Sequence, residues 1–238
     1  MKLLLANYGK FGTDLHFPLS LAYIAGALQR QGCDFDLLDC YVHPYEEQKK
    51  VLFETLKSGD YGAVGFSVFL GNNSYRDFKV LTRELKEEFP TLKIIVGGPM
   101  ATCIPEMILQ HMAADIVVIG EGELTAPELM KALGNGKDLS TVNGIGFRQN
   151  GQNVINPPPS RINDLDVLHP LPYELFPMQF YLDYLEKTGR CFGVLGTRGC
   201  FSKCSFCFLT YGKRMTFRSV DSIAEEMQYL HGTYGVST

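Results

Sequence analysis

Five short apolar runs, each followed by a helical pattern, govern residues 1–134. Residues 2–6, 35–38, 63–67, 92–96 and 116–119 are rich in Val, Ile and Leu and apolar on both faces, as buried parallel strands are. Between them, 19–31, 46–57, 74–89, 105–111 and 124–133 read as helices. In the first of these, Leu21, Ile24, Ala25 and Leu28 mark one face, while Pro18 suits its first turn and Gly32 its end. This alternation predicts an α/β fold: a doubly wound, flavodoxin-like sheet of five parallel strands with right-handed crossovers.

Open parallel sheets bind ligands outside the carboxyl ends of their strands. The sequence places small and polar residues there: Asn7, Gly9 and Gly12 after the first run, Ser67 after the third, Gly97 and Gly98 after the fourth, Gly120 and Glu121 after the fifth. Glycine lets a backbone approach a bulky ligand closely. Each position alone is ordinary turn chemistry; recurrence after four of five strands makes the set a candidate cofactor site. The first run is followed by no G-x-G-x-x-G, and the chain carries no Walker A sequence, so nucleotide readings lack their fingerprints. Glu121 and Glu123 precede a predicted helix, where carboxylates complement the helix dipole. Asp39, ending the second run, suits either a cap or a ligand contact.

The Asn150-Gly151 pair between residues 144–148 and 154–155 predicts a β-hairpin. Pro157, Pro158, Pro159, Pro170, Pro172 and Pro177, half of the 12 prolines, then mark a stiff linker whose Leu175, Phe176, Phe180, Tyr181 and Tyr184 suit packing on a neighbouring unit. Beyond it Cys200, Cys204 and Cys207 form C-x3-C-x2-C. Thiolates so spaced can turn toward one point, as an iron–sulfur cluster requires. Structural zinc with Cys191 as fourth ligand, and free thiols, are the competing readings. Cys33, Cys40 and Cys103 are scattered and read as packed thiols. Arg198, Lys203, Lys213, Arg214 and Arg218 fall together without an acid, either as a solvated loop face or as compensation for an anionic cluster.

A net charge of −4 gives no reason to expect nucleic acid as partner. No apolar run nears the roughly 18 residues of a membrane span. Seven cysteines, three of them crowded, do not make a secreted disulfide framework, so a reducing cytoplasm is the expected compartment.

Thr197-Arg198-Gly199-Cys200 leading into Cys204-Ser205-Phe206-Cys207 resembles the signature of the radical S-adenosylmethionine (SAM) superfamily, with Phe206 in its aromatic slot. Phe201 stands where many relatives have proline. The resemblance implies that Cys200, Cys204 and Cys207 hold a 4Fe–4S cluster whose open iron takes the amino and carboxylate groups of SAM. It implies that Phe206 helps place the adenine, and that an electron from the cluster splits SAM to a deoxyadenosyl radical. Upstream, the stretch from Pro18-Leu19-Ser20 through Tyr23-Ile24-Ala25-Gly26, with Val96-Gly97-Gly98-Pro99 and Gly120-Glu121-Gly122-Glu123, resembles the cobalamin-binding domain found ahead of some radical SAM domains.

Together these resemblances imply the front end of a cobalamin-dependent radical SAM enzyme. Its expected reaction is methyl transfer to an unactivated carbon of a small-molecule or natural-product-type substrate, with flavodoxin or ferredoxin as electron donor. Ring closure or rearrangement by the same architecture, and a corrinoid- or metal-binding module without activity of its own, are the alternatives. Many cobalamin-binding folds carry Asp-x-His-x-x-Gly after strand one, whose histidine ligates cobalt; here the slots read Asn7, Gly9 and Gly12. The resemblance therefore implies a cobalt without that imidazole, with His16 the nearest substitute.

The expected division is 1–140 for the cobalamin-binding domain, 141–190 for hairpin and linker, and 191–238 for the start of a radical SAM barrel. Residues 192–196 read as its first strand, Ser219 as the cap of a helix over 220–230, and 234–236 as the start of a second strand. A β/α barrel needs about 200 residues or more, so the barrel is expected to be incomplete, and the chain alone inactive.

Overall fold

The computed structural model describes residues 1–10, 15–69, 74–208 and 210–236. Five parallel strands form close to the predicted runs: β1 (Leu3–Asn7), β2 (Phe35–Asp39), β3 (Ala63–Ser67), β4 (Lys93–Gly97) and β5 (Ile116–Val118). They lie in the order β2-β1-β3-β4-β5, so the winding reverses between β1 and β3 and opens a crevice at their carboxyl ends. The sheet does not stop at five. The hairpin β6 (Ile145–Gln149) and β7 (Gln152–Ile155) adds two antiparallel strands beside β5. Its turn uses Asn150 and Gly151 with φ of 52° and 80°, the positive values an Asn-Gly turn supplies.

Six helices cover the two faces: α1 (Leu19–Arg30), α2 (Tyr45–Ser58), α3 (Ser74–Glu88), α4 (Pro99–Cys103), α5 (Pro105–His111) and α6 (Gly122–Gly134). Side chains alternate across a strand, and here both sets are buried. Leu4, Ala6, Val64, Phe66, Ile94 and Val96 meet Leu52 of α2, Phe78 and Leu85 of α3 and Ile108 of α5. On the opposite face Leu3, Ile95, Ile116 and Val118 meet Leu28 of α1 and Leu129 and Met130 of α6. The short α4 was not predicted. Gly98, at φ 93°, turns the chain, and Pro99 takes the first helical position.

The proline-dense stretch is closely packed. Ile162, Leu165, Leu168, Leu171, Tyr173 and Phe176 bury against Leu21 and Ala25 of α1. Phe17, ahead of α1, touches the rings of Tyr173, Phe176, Tyr181 and Phe192 at centroid distances of 4.9–5.4 Å. Tyr181 sits on the next helix, α7 (Met178–Thr188). Prolines keep this segment extended and short of donors, which lets it lie across a helix without leaving amides unpaired.

Two expected strands do not form. Residues 192–196 carry Phe192, Val194 and Leu195 into the aromatic cluster, but among the described residues no strand runs beside them. Their carbonyls are taken by Arg218 instead: Leu195 O accepts from Nη1 at 3.0 Å and Gly196 O from the backbone N–H at 2.9 Å. The strand pairing lies just beyond, where β8 (Thr197–Arg198) pairs antiparallel with β9 (Thr216–Phe217) and closes the base of the cysteine loop. The last helix, α8 (Val220–Tyr234), is capped as predicted, with Ser219 Oγ accepting from Ser222 N–H at 3.1 Å. It outruns its predicted end, and residues 234–236 are its stop signal. Gly235 turns left-handed at φ 69°, and the N–H of Val236 reaches back to Leu230 O. Among the described residues no helix is long and apolar enough to cross a membrane.

Candidate cofactor site

The carboxyl ends of β1, β3, β4 and β5 open into a cavity of about 530 Å³ that runs back between the sheet and helices α1 and α6. Leu3, Leu5, Gly65, Ile95 and Val118 form its sheet side; Leu21, Ile24, Ala126, Leu129 and Met130 form its helix side. Gly65 leaves the centre of that wall bare. A Cβ there would lie 3.5 Å from both Leu3 and Leu5, in ordinary contact, so the missing side chain enlarges the cavity and relieves no clash.

Asn7, Gly9, Ser67, Gly97, Gly98, Gly120 and Glu121 all line this cavity; Gly12 lies outside the described residues. Gly9 holds φ 130° and donates its N–H to Gln48 Oε1 at 3.0 Å, fixing the loop at the slot where the resemblance would have placed histidine. Ser67 Oγ stands 3.3 Å from Ser20 Oγ of α1. Gly120 donates to Thr102 Oγ1 at 2.9 Å. His16 is exposed and lies on the cavity wall. Asp39 resolves as a cap: it accepts from Tyr41 N–H at 3.1 Å, from Asn7 Nδ2 at 2.8 Å and from the Tyr181 hydroxyl. Burial raises its pKa, against the pull of these donors.

Glu121 and Glu123 begin α6, as a dipole role requires, but both are buried and both face Arg198. Arg198 Nη1 donates to Glu121 Oε1 at 3.1 Å and Nη2 to Glu123 Oε1. The other oxygen of Glu121 accepts from Ile162 N–H at 2.9 Å. Burial works against the arginine's charge, and Glu123 with Glu121 more than restores it, holding the pKa above the ordinary arginine value. The guanidinium also lies 4.7 Å from the ring centre of Tyr23 and 5.4 Å from that of Tyr211. Arg218 is likewise buried, on Glu226. Of the five clustered basic residues, then, only Lys203, Lys213 and Arg214 form an exposed face.

A second buried group adjoins this one. His169 places Nε2 3.0 Å from the Tyr23 hydroxyl and Nδ1 3.5 Å from Glu226 Oε1, which also accepts from Tyr173 at 2.5 Å. Burial pulls the His169 pKa down to about 4.

Leu195, Arg198, Thr210 and Tyr211, which flank the cysteine loop, line the same cavity. Cys200, Cys204, Cys207 and Phe206 do not. Cys204 and Cys207 are exposed, Cys200 half-buried, and Phe206 is 92% exposed. Cys200 Sγ accepts from Ser202 N–H at 3.4 Å, and Cys207 N–H turns back to Cys204 O at 3.2 Å. Among the described residues no three His, Cys, Asp or Glu side chains stand close enough to hold a metal ion. The donor set suits iron and sulfide: three thiols on one turn, without a carboxylate among them. Loading would have to gather the sulfurs. Cys40 is fully buried, its pKa pushed up to about 12 by burial, and Cys33 and Cys103 are half-buried, all three as packed thiols.

Sequence reasoning missed Gly65, the pairing of Arg198 and the cavity role of Tyr23. A glycine inside a strand was the available signal for the first; the other two depend on contacts between distant segments.

Residues 5–130 match the family model described as B12 binding domain. Over 226 residues the chain is 33% identical to an uncharacterized methyltransferase of Pyrococcus horikoshii, covering 92% of this chain and 47% of the relative. It is 32% identical over 222 residues to the anaerobic magnesium-protoporphyrin IX monomethyl ester cyclase of a Synechocystis strain, covering 92% and 43%. The chain thus spans less than half the length of both relatives. Among solved structures, the radical SAM methyltransferase TsrM from Kitasatospora setae, with cobalamin and a 4Fe–4S cluster bound, superposes with a TM-score of 0.77 at 20% identity. That match covers 99% of this chain and 46% of TsrM; at this identity the likeness is one of fold.

Proposed function

The chain belongs to the B12 binding domain family, and on that footing we propose that it is the cofactor-bearing front part of a cobalamin-dependent radical SAM enzyme that methylates an unactivated carbon of a small molecule. One observation carries the reading: the strand-end cavity and the C-x3-C-x2-C loop share a wall, through Leu195, Arg198, Thr210 and Tyr211. A corrinoid in that cavity and a cluster on that loop would be neighbours.

The cavity fits the elongated tail of cobalamin. It is deep, largely apolar and bare at Gly65, with Ser20 and Ser67 as polar contacts near the strand ends. Gly97, where a Cβ would find nothing nearer than 3.7 Å, lets the backbone come close to the ligand. With glycine at position 9, the chain offers cobalt no imidazole from that slot. Bound cobalamin supplies a methyl carrier, and a bound 4Fe–4S cluster supplies the electron that cleaves SAM. The chain's own part is to hold both, with Cys200, Cys204 and Cys207 on the cluster and Phe206 beside the adenine, and to keep water from the apolar cavity. Flavodoxin or ferredoxin would serve as electron donor, in a reducing cytoplasm. We take 1–140, 141–190 and 191–238 as the three functional parts.

Ring closure is the second reading, favoured by the 32% identity to a cyclase. Both share the same cofactors. Anaerobic reconstitution with iron and sulfide, followed by hydroxocobalamin and gel filtration, tests their common core. The expected result is cluster absorption together with retained cobalamin. A cluster without cobalamin, or zinc held by four sulfurs including Cys191, would overturn it. Nitrogen superhyperfine splitting from a protein imidazole in the Co(II) electron paramagnetic resonance (EPR) spectrum would overturn the assignment at Gly9.

A further inference from the structure

The base of the cysteine loop is fixed by contacts that cross the chain. Arg198 stands two residues ahead of Cys200, in the short ladder Arg198↔Thr216 that closes the loop. Its two terminal nitrogens go to two different carboxylates, those of Glu121 and Glu123, 77 and 75 residues earlier at the end of β5. Both acids line the cofactor cavity, and so does Arg198. A guanidinium can span two carboxylates in this way because its donors are spread over a rigid fork; a lysine ammonium is a single point.

The step from Arg198 to the first cysteine is equally constrained. Gly199 holds φ 94°, and a Cβ built on it would collide with the Arg214 carbonyl oxygen. The chain therefore passes directly under the far limb of the loop. Arg161 donates to that same Arg214 carbonyl and stands 3.3 Å from Thr216 Oγ1, tying the far limb to the proline-dense stretch. Tyr211, also on the far limb, lies beside the Arg198 guanidinium. The loop's tip is exposed while its root is buried and ionically bound to the strand-end turn that carries Gly120 and Glu121.

We propose that Arg198 is a positioning residue, which holds Glu121 and Glu123 together and thereby sets the separation between the cysteine loop and the corrinoid cavity. This rests on the functional reading above, although the anchoring itself is a property of the polypeptide alone. Glu121 and Glu123 act through the arginine: they are the fixed end of the strut, and the loop is the end being placed.

Two measurements on the full chain test it. Hydrogen exchange of peptides spanning 199–211, without cofactors, reads the anchoring. In the isosteric Glu123→Gln their exchange should rise about tenfold, as losing one charge-assisted hydrogen bond implies, and in Arg198→Met, which loses two, by at least as much, with β1 and β3 peptides unchanged. The double variant should add little, because both changes cut the same contact. Unchanged loop exchange in both single variants, or full additivity, would overturn the proposal.

The second measurement reads the placement. In reconstituted protein, the reduced cluster should broaden the Co(II) EPR signal through space. Arg198→Met, compared with the parent at matched cobalt and iron content, should lose that broadening, and Arg198→Lys should restore only part of it. Identical spectra in all three proteins would overturn the placement role. Should the parent protein retain no cobalamin, the functional reading fails, and the exchange result alone decides the anchoring.

Discussion

Asn7 Nδ2 and Asp39 Oδ1 stand 2.8 Å apart at the carboxyl ends of neighbouring parallel strands, both buried. The pair explains why β1 ends in an amide where other cobalamin folds carry aspartate: an amide donates to the carboxylate, and a second carboxylate would repel it. Asn7→Asp should therefore cost about 1–3 kcal/mol at neutral pH, the penalty of a buried polar group left unsatisfied. Two such acids share a raised pKa. Stability lost to a raised carboxyl pKa disappears as pH falls below it, so the deficit should shrink toward pH 4. Urea unfolding of parent and variant across that range checks both the size and the sign.

The strand-end glycines separate into two kinds. Gly98 holds φ 93° with ψ −175°, and a Cβ there would meet Ser67 Oγ at 2.8 Å and Val68 N at 2.9 Å. Gly98→Ala should cost about 1–3 kcal/mol of stability through backbone strain alone. At Gly97 a Cβ would find nothing nearer than Val118 Cβ at 3.7 Å. Gly97→Ala should fold normally and weaken cobalamin retention, because the methyl group enters the cavity. Melting temperature and cobalamin titration, run on both variants, distinguish conformational from ligand-facing glycine.

Cys204 and Cys191 are both exposed, yet only one belongs to the proposed cluster set. After anaerobic reconstitution, Cys204→Ala should lose most of its iron and visible absorption, and Cys191→Ala should keep the parent's. Equal loss in both would make Cys191 a fourth ligand of the cluster.

His169 gives the fold a pH dependence of predictable direction. Burial lowers its pKa from 6.5 to about 4. A base with a depressed native pKa takes up its proton first in the unfolded chain, so native stability should fall as pH drops from about 6.5 toward about 4. Glu226 opposes this shift and Arg218 adds to it, and both are within the same buried group. His169→Gln should flatten that part of the curve, read as the urea midpoint against pH.

Much of the fold was legible because short Val-, Ile- and Leu-rich runs that alternate with helical patterns are what a buried parallel sheet requires. Once five such runs are recognised, topology alone places residues 7, 9, 67, 97, 98, 120 and 121 around one opening, which is where they stand. What stayed hidden depends on partners. Arg198 and Arg218 look like members of a solvated basic run because the sequence does not show the acids opposite them, Glu121 and Glu123 in one case and Glu226 in the other. Residues 192–196 have a strand's side chains without a neighbouring strand, and apolar pattern reports side chains only. The hairpin was recognisable from Asn150-Gly151, but its docking on β5 was not, since a turn sequence says nothing about which edge the strands will cover.

Protein interiors are ordinarily close-packed, and this one keeps about 530 Å³ open between its sheet and two of its helices. Whatever occupies that space completes the hydrophobic core. By mass action a ligand at about 100 times its dissociation constant adds about 2.7 kcal/mol to the free energy of unfolding, which is a sizeable share of the total for a domain of ordinary stability. The melting temperature of this chain should therefore rise with added cobalamin, and by the amount its occupancy dictates.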